Sequence, residues 1–249
     1  MKKWLVVLFI GLAGCASLEP YVREFNIISV PQERQIGLEA AGQVAREMAL
    51  VEDPAALQRV RQIGQRLVSA LPRRDFDYHF YVVQDDSPNA FTIPGGSVYV
   101  HTGLLKMADD DELAGVIGHE IGHAYARHPV KGLSRAYGVE YLSRILFSGN
   151  QPRIQNLGLM IAEKSLLLRY GREDEFEADQ IGFALLKRAG LRTDGLLRFF
   201  AKLQNLERGG FNVPFLSSHP PTAERMARLQ TLEQRDQNIS AGTFPNVPG

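Results

Sequence analysis

The amino-acid sequence predicts an α+β fold, mainly α, with one small antiparallel sheet beside a central helix. Three observations carry that prediction. Apolar residues recur at helical spacing towards both ends of the chain. The period shortens to that of strands only between Tyr78 and Val100. A His-Glu-x-x-His pattern stands in the helical part that follows.

The first fifteen residues read as a leader. Met1-Lys2-Lys3 is a short positive segment, Trp4 to Leu12 is an apolar run, and Leu12-Ala13-Gly14-Cys15 brings small residues up to a cysteine. The run is too short to span a bilayer as a mature helix. The expected boundaries are a signal peptide at 1–14, a lipidated N-terminus and tether at 15–30, one folded domain at 31–236 and a flexible tail at 237–249. Leu-Ala-Gly-Cys resembles the bacterial lipobox, which implies cleavage before Cys15 and lipidation of its thiol. The competing reading is an ordinary signal peptide with Cys15 near the cut. Ala16 and Ser17 follow, with no Asp to suggest inner-membrane retention, so the resemblance to lipoproteins points to the periplasmic face of the outer membrane.

Cys15 is the single cysteine, so no intrachain disulfide can form. From Cys15 to Gly249 there are 235 residues, enough for one substantial core. The chain has 28 basic and 28 acidic residues; removing Lys2 and Lys3 leaves 26 against 28, about −2. The basic residues are scattered, which argues against a nucleic-acid partner. Attachment to the membrane falls to acyl chains rather than charge.

Pro31 opens a helical stretch with Ile36, Leu38, Val44 and Met48 on its apolar positions. Pro54 opens a second, with Leu57, Val60, Ile63, Leu67 and Leu71. Tyr78-His79-Phe80-Tyr81-Val82-Val83 is aromatic and β-branched, hence a strand. Phe91-Thr92-Ile93 and Ser97-Val98-Tyr99-Val100 flank Pro94-Gly95-Gly96 as a hairpin. From Gly103 the pattern is helical nearly to the end, with breaks at Ser148 to Pro152, Gly190, Gly209-Gly210 and Pro220-Pro221. The apolar run from Leu157 to Leu168 contains Glu163 and Lys164, so it is a core helix and not a membrane span.

His119-Glu120-Ile121-Gly122-His123 lies inside a helix whose start is marked by Asp109 and Glu112, an N-cap and its reciprocal partner. His119 and His123 are four apart, so both imidazoles leave one face and can share an ion. Glu120 is rotated by about 100° and stands beside the ion, placed to take a proton from attacking water. Gly115, Gly118 and Gly122 each cost about 1 kcal/mol against alanine, which makes sense if another backbone approaches closely. A catalytic zinc needs a third protein ligand. In Glu173-Asp174-Glu175-Phe176-Glu177-Ala178-Asp179, Glu175 can supply it while Asp179, one turn on, accepts from a ligand histidine. Glu173 and Glu177 form a rival pair without an Asp one turn later. His128 is expected to end the helix about half a turn off the ligand face, and His79 and His101 to be structural.

These motifs resemble the gluzincin-type metallopeptidases of the HtpX and CAAX-prenyl-protease family. Asn89-Ala90-Phe91 with Pro94-Gly95-Gly96, and Thr102-Gly103-Leu104-Leu105, match that family's stretch before the metal helix. Ser218-His219-Pro220 with Arg225 matches its C-terminal signature, and the likeness covers about residues 30 to 235 in order. The chain is most like the periplasmic lipoprotein or soluble members of the LoiP and BepA kind, without a helical-repeat module. The resemblance implies a zincin-like domain, one Zn2+ per chain and cleavage of polypeptides, unfolded or misassembled envelope proteins among them. It implies that His219 approaches the metal, as a cap on the fourth position or as an oxyanion partner; by composition alone it is equally a loop residue. Arg225 suits a structural salt bridge or an oxyanion contact. Asn89 and Ala90 are either a plain edge strand or, by resemblance, the edge that pairs with substrate backbone. Two rivals stand beside the peptidase: a hydrolase acting on other bonds, and a metal-binding lipoprotein with a chaperone role.

Overall fold

The computed structural model describes residues 28–138 and 170–236. The signal segment, Cys15 and most of the tether, the expected Leu157–Leu168 helix, the break at Ser148 to Pro152 and the tail lie outside the described residues.

Helix α1 (Val30–Glu47) starts at Ser29, whose hydroxyl accepts from the Gln32 N–H while the Gln32 side chain accepts from the Ser29 N–H at 2.9 Å. Helix α2 (Pro54–Ser69) is capped by Asp53, which accepts from the Ala56 N–H at 2.9 Å. Proline in the first turn of each removes an N–H that has no helical acceptor. Strands β1 (His79–Val83), β2 (Ala90–Thr92) and β3 (Ser97–His101) form one sheet in the order β1-β3-β2.

The sheet is mixed. The β2–β3 hairpin is antiparallel as expected, but β1 pairs with β3 in parallel, Phe80 opposite Val98 and Val82 opposite Val100. Side-chain period identifies strands and says nothing of their order; β1 lies beside the returning strand of the hairpin. Both faces are buried, as a parallel pair requires. Phe80, Val82, Val98 and Val100 join one apolar cluster with α2 and the metal helix. Val83, Phe91 and Tyr99 join a second with Ile36, Ala40 and Val44 of α1. Tyr81, Tyr99 and Phe91 stack across the strands at 5.0 and 4.9 Å. The hairpin turn needs glycine: Gly95 and Gly96 have φ +82° and +92°. Gly37 of α1 sits directly on Pro94, where any Cβ would strike the carbonyl.

Helix α3 (Thr102–Met107) leads into the central helix α4 (Asp110–Tyr125), buried from Glu112 to Tyr125. Asp109 accepts from the Glu112 N–H at 2.8 Å, and Glu112 accepts from the Asp109 N–H at 2.9 Å, the capping box the sequence predicted. Around α4 stand α5 (His128–Tyr137), α6 (Arg172–Arg188), α7 (Gly195–Arg208), α8 (Pro214–Ser218) and α9 (Ala223–Asp236). The close approach inferred from the glycines is present. A Cβ on Gly122 would lie 2.6 Å from the Ala178 carbonyl of α6, and one on Gly115 would strike the Leu196 nitrogen of α7. Gly118 faces Gly182, each the other's clearance. Among the described residues no helix is long and apolar enough to cross a membrane.

Candidate metal centre

Two helices meeting through glycine bring their functional side chains within bonding distance. His119, Glu120 and His123 come from α4, and Glu175 and Asp179 from the first turns of α6. His219 is the C-cap of α8, and Arg225 lies in the first turn of α9. All seven are buried.

Donor atoms of His119, His123, Glu175 and His219 all lie within 4.8 Å of one another. His119 Nε2 is 3.0 Å from His123 Nε2 and 3.1 Å from His219 Nδ1; Glu175 Oε1 is 3.1 Å from His219 Nδ1 and 3.4 Å from His123 Nε2. Zinc bonded tetrahedrally at about 2.0–2.1 Å spaces its ligands about 3.3 Å apart. Three imidazoles and a carboxylate at these separations therefore fit one zinc ion. The carboxylates fit too: Glu120, Glu175 and Asp179 are buried around the cluster with Arg225 against them.

The remaining ring atoms decide which lone pairs face inward. His119 Nδ1 donates to Asp179 at 2.9 Å, which turns its Nε2 lone pair to the cluster. Arg225 forks onto Asp179 at 2.5 and 2.7 Å and also pairs with Glu175. A guanidinium so buried is tolerated only because it is paired on both sides. Burial alone would raise Glu175 and Asp179. His219 and then Arg225 hold Glu175 well below the usual carboxylate range, and Arg225 with His119 holds Asp179 below it. Burial and Arg225 oppose charge on His119, yet the Asp179 and Glu175 carboxylates outweigh them and push it up to about 9. Among the described residues neither Glu120 oxygen is hydrogen-bonded, His219 Nε2 stands at 3.5 Å, and burial raises the Glu120 pKa. An unpartnered buried carboxylate is costly and is kept where chemistry uses it.

Of the rival acids, Glu173 is exposed, while Glu177 accepts from His128 Nε2 at 3.0 Å. Asn89 and Ala90 are buried at the sheet edge. The Asn89 carbonyl accepts from the His101 N–H at 3.0 Å and the Ile93 N–H donates to Ser97 at 3.1 Å, so the alternate residues, Ala90 and Thr92, turn their main chain outward. Sequence reasoning missed two neighbours. His128 Nδ1 is 2.9 Å from His123 Nδ1, and the Tyr170 ring stacks on His123 at 4.0 Å. The helical wheel put His128 off the face, but α4 ends at Ala126 and Arg127 takes φ +60°, which swings His128 back. Pro129 marked that break, but its direction depends on the positive φ at Arg127.

A buried His-Glu-x-x-His helix, joined by a carboxylate from a second helix, defines a zincin-like metallohydrolase. The chain belongs to peptidase family M48, whose match spans residues 54–233. It is therefore a zinc metalloendopeptidase. It is 32% identical to metalloprotease YcaL of Escherichia coli over 70% of this chain and 68% of that one. Identity to metalloprotease LoiP of the same organism is 32%, over 72% and 71%. The beta-barrel assembly-enhancing protease of Escherichia coli is 29% identical over 81% of this chain, which spans only 44% of that longer protein.

Proposed function

We propose that His119, His123 and Glu175 hold the zinc, that Glu120 is the general base, and that His219 caps the fourth position in the resting enzyme. The observation that carries this is the convergence of four donors within 4.8 Å of one another, next to a carboxylate with no hydrogen bond among the described residues. When bound, zinc lowers the pKa of water and polarises the scissile carbonyl. Glu120 takes one proton as the water oxygen attacks the carbonyl carbon, then passes it to the amine as the C–N bond breaks. Asp179 fixes the His119 tautomer, and Arg225 holds Asp179 and Glu175 in place; of the two roles open to Arg225, ion pairing fits its contacts. The outward main chain of Ala90 and Thr92 is suited to pair with an extended substrate, with Asn89 at the strand's entry.

The same reading places the chain at the periplasmic face of the cell envelope, tethered by lipid on Cys15, most simply at the outer membrane. Its substrates are then unfolded or misassembled envelope proteins, a class consistent with a relative named for β-barrel assembly. The complete donor set leaves no observation in favour of a silenced scaffold.

Metal content and casein cleavage by the purified protein, with and without chelator, test the assignment. Glu120→Gln is expected to keep about one zinc per chain and lose hydrolysis, because a base is not a ligand. A zinc-free Glu120→Gln protein would mean that the wrong carboxylate has been given the role.

A further inference from the structure

His123 has two ring nitrogens, and the site uses only one of them. Nε2 faces His119 at 3.0 Å, while Nδ1 points away and meets His128 Nδ1 at 2.9 Å. Two imidazole nitrogens at that distance hold one proton between them. The other side of His128 settles which ring owns it. His128 Nε2 lies 3.0 Å from Glu177 Oε2, and an ionised carboxylate can only accept. The proton of a neutral His128 is then on Nε2, its Nδ1 is the acceptor, and His123 carries its own proton on Nδ1. That tautomer leaves the His123 Nε2 lone pair pointing into the donor cluster. The opposite arrangement would aim an N–H at the metal position.

The chain of contacts is anchored beyond its end. Lys131 lies 3.8 Å from Glu177, Asp174 is 3.7 Å from His128 Nε2, and Arg135 pairs with Asp174. His128 is fully buried, whereas the Glu177 side chain keeps 27% of its surface exposed. His119 receives its orientation directly from Asp179. Among the described residues the partner of His123 Nδ1 is an interposed imidazole rather than a carboxylate.

We propose that His128 and Glu177 are positioning residues, a Glu177–His128–His123 relay that fixes the tautomer and ring orientation of His123 for zinc. The proposal rests on the reading above that His123 is a ligand. It distinguishes Glu177 from Glu175 by function: one carboxylate belongs to the ion and the other holds a ligand from behind.

The test uses the purified full chain and three readouts: zinc affinity by chelator competition, the visible spectrum of the cobalt-substituted protein, and thermal unfolding of the metal-free protein. Glu177→Ala leaves the buried ring in place, and His128→Gln keeps an acceptor that can reach His123. His128→Ala removes the acceptor. Loss of an outer partner of this kind weakens metal binding about 10–100-fold, and that loss is expected for His128→Ala, with a shifted cobalt spectrum. Glu177→Ala is expected to weaken zinc in the same direction, and His128→Gln to recover part of the loss. Metal-free unfolding of Glu177→Ala and His128→Gln should match the parent. Parent-like zinc affinity and cobalt spectra in all three variants would overturn the relay. So would an affinity loss matched by a fall in metal-free stability of Glu177→Ala and His128→Gln. A parent protein that binds no zinc would instead overturn the ligand assignment itself.

Discussion

His219 sits where a fourth donor belongs, and that position has a cost for catalysis. Its Nδ1 is 3.1 Å from both His119 Nε2 and Glu175 Oε1, so on zinc it would occupy the place that attacking water needs. It also stands at the end of a short element. Its N–H donates to Phe215 at the end of a five-residue helix, and Pro220-Pro221 follow. His219→Ala is therefore expected to raise peptide turnover while zinc stays stoichiometric, since three ligands remain. Turnover measured at saturating peptide, with zinc assayed on the same sample, decides it. A tenfold loss, about 1.4 kcal/mol of barrier, would instead make His219 an oxyanion partner. At this scale the sequence was informative where spacing alone determines geometry. His119, Glu120 and His123 follow from helical rotation, and Glu175 with Asp179 follows from the same four-residue step. His128 did not, because its approach depends on one positive φ at Arg127.

Elements meet at the metal through glycine, and the clearances differ enough to be tested against each other. Gly122 lies against the Ala178 backbone, and Glu175 is one turn before Ala178 on the same helix. A methyl group at 122 would sit 2.6 Å from a carbonyl that cannot swing away, so α4 and α6 must separate. At Gly118 the corresponding distance to Gly182 is 3.4 Å, near ordinary contact. Alanine gains about 1 kcal/mol of helix propensity at either position. Gly122→Ala is expected to be destabilising by about 1–3 kcal/mol net and to weaken zinc binding, because the separation falls between ligands. Gly118→Ala should be within about 1 kcal/mol of the parent. Denaturant unfolding of both variants checks the contrast, and equal effects would remove the interhelical argument. The glycines were legible as a signal that something comes close, though not which helix. The strands were equally legible one by one. Their order was not, because a strand buried on both faces carries no mark of its neighbour; hence the mixed sheet where an antiparallel one was expected.

At the scale of the whole molecule, the catalytic domain and the N-terminal sequence motif ending at Cys15 have to be considered together. Two apolar clusters on opposite faces of a three-stranded sheet hold α1 on one side and the metal helix on the other. Among the described residues no helix is long and apolar enough to cross a bilayer. The sequence offers one means of attachment to a membrane, Cys15 behind Leu12-Ala13-Gly14. Acyl chains contribute about 0.8 kcal/mol per buried CH2, and one chain alone holds a protein only reversibly, so stable attachment takes more than one. A lipoprotein-type cysteine supplies them at a single residue. Cys15→Ala is then expected to move the protein from the membrane fraction to the soluble periplasmic fraction. Cleavage of casein by the purified protein should be unchanged, because the donor cluster lies more than a hundred residues further along the chain. Fractionation with and without high salt separates the possible results. Retention that salt abolishes would show that charge, not lipid, attaches the chain. Retention that resists salt would show that Trp4 to Leu12 stays in place as an uncleaved anchor, and the lipid on Cys15 would have to be given up.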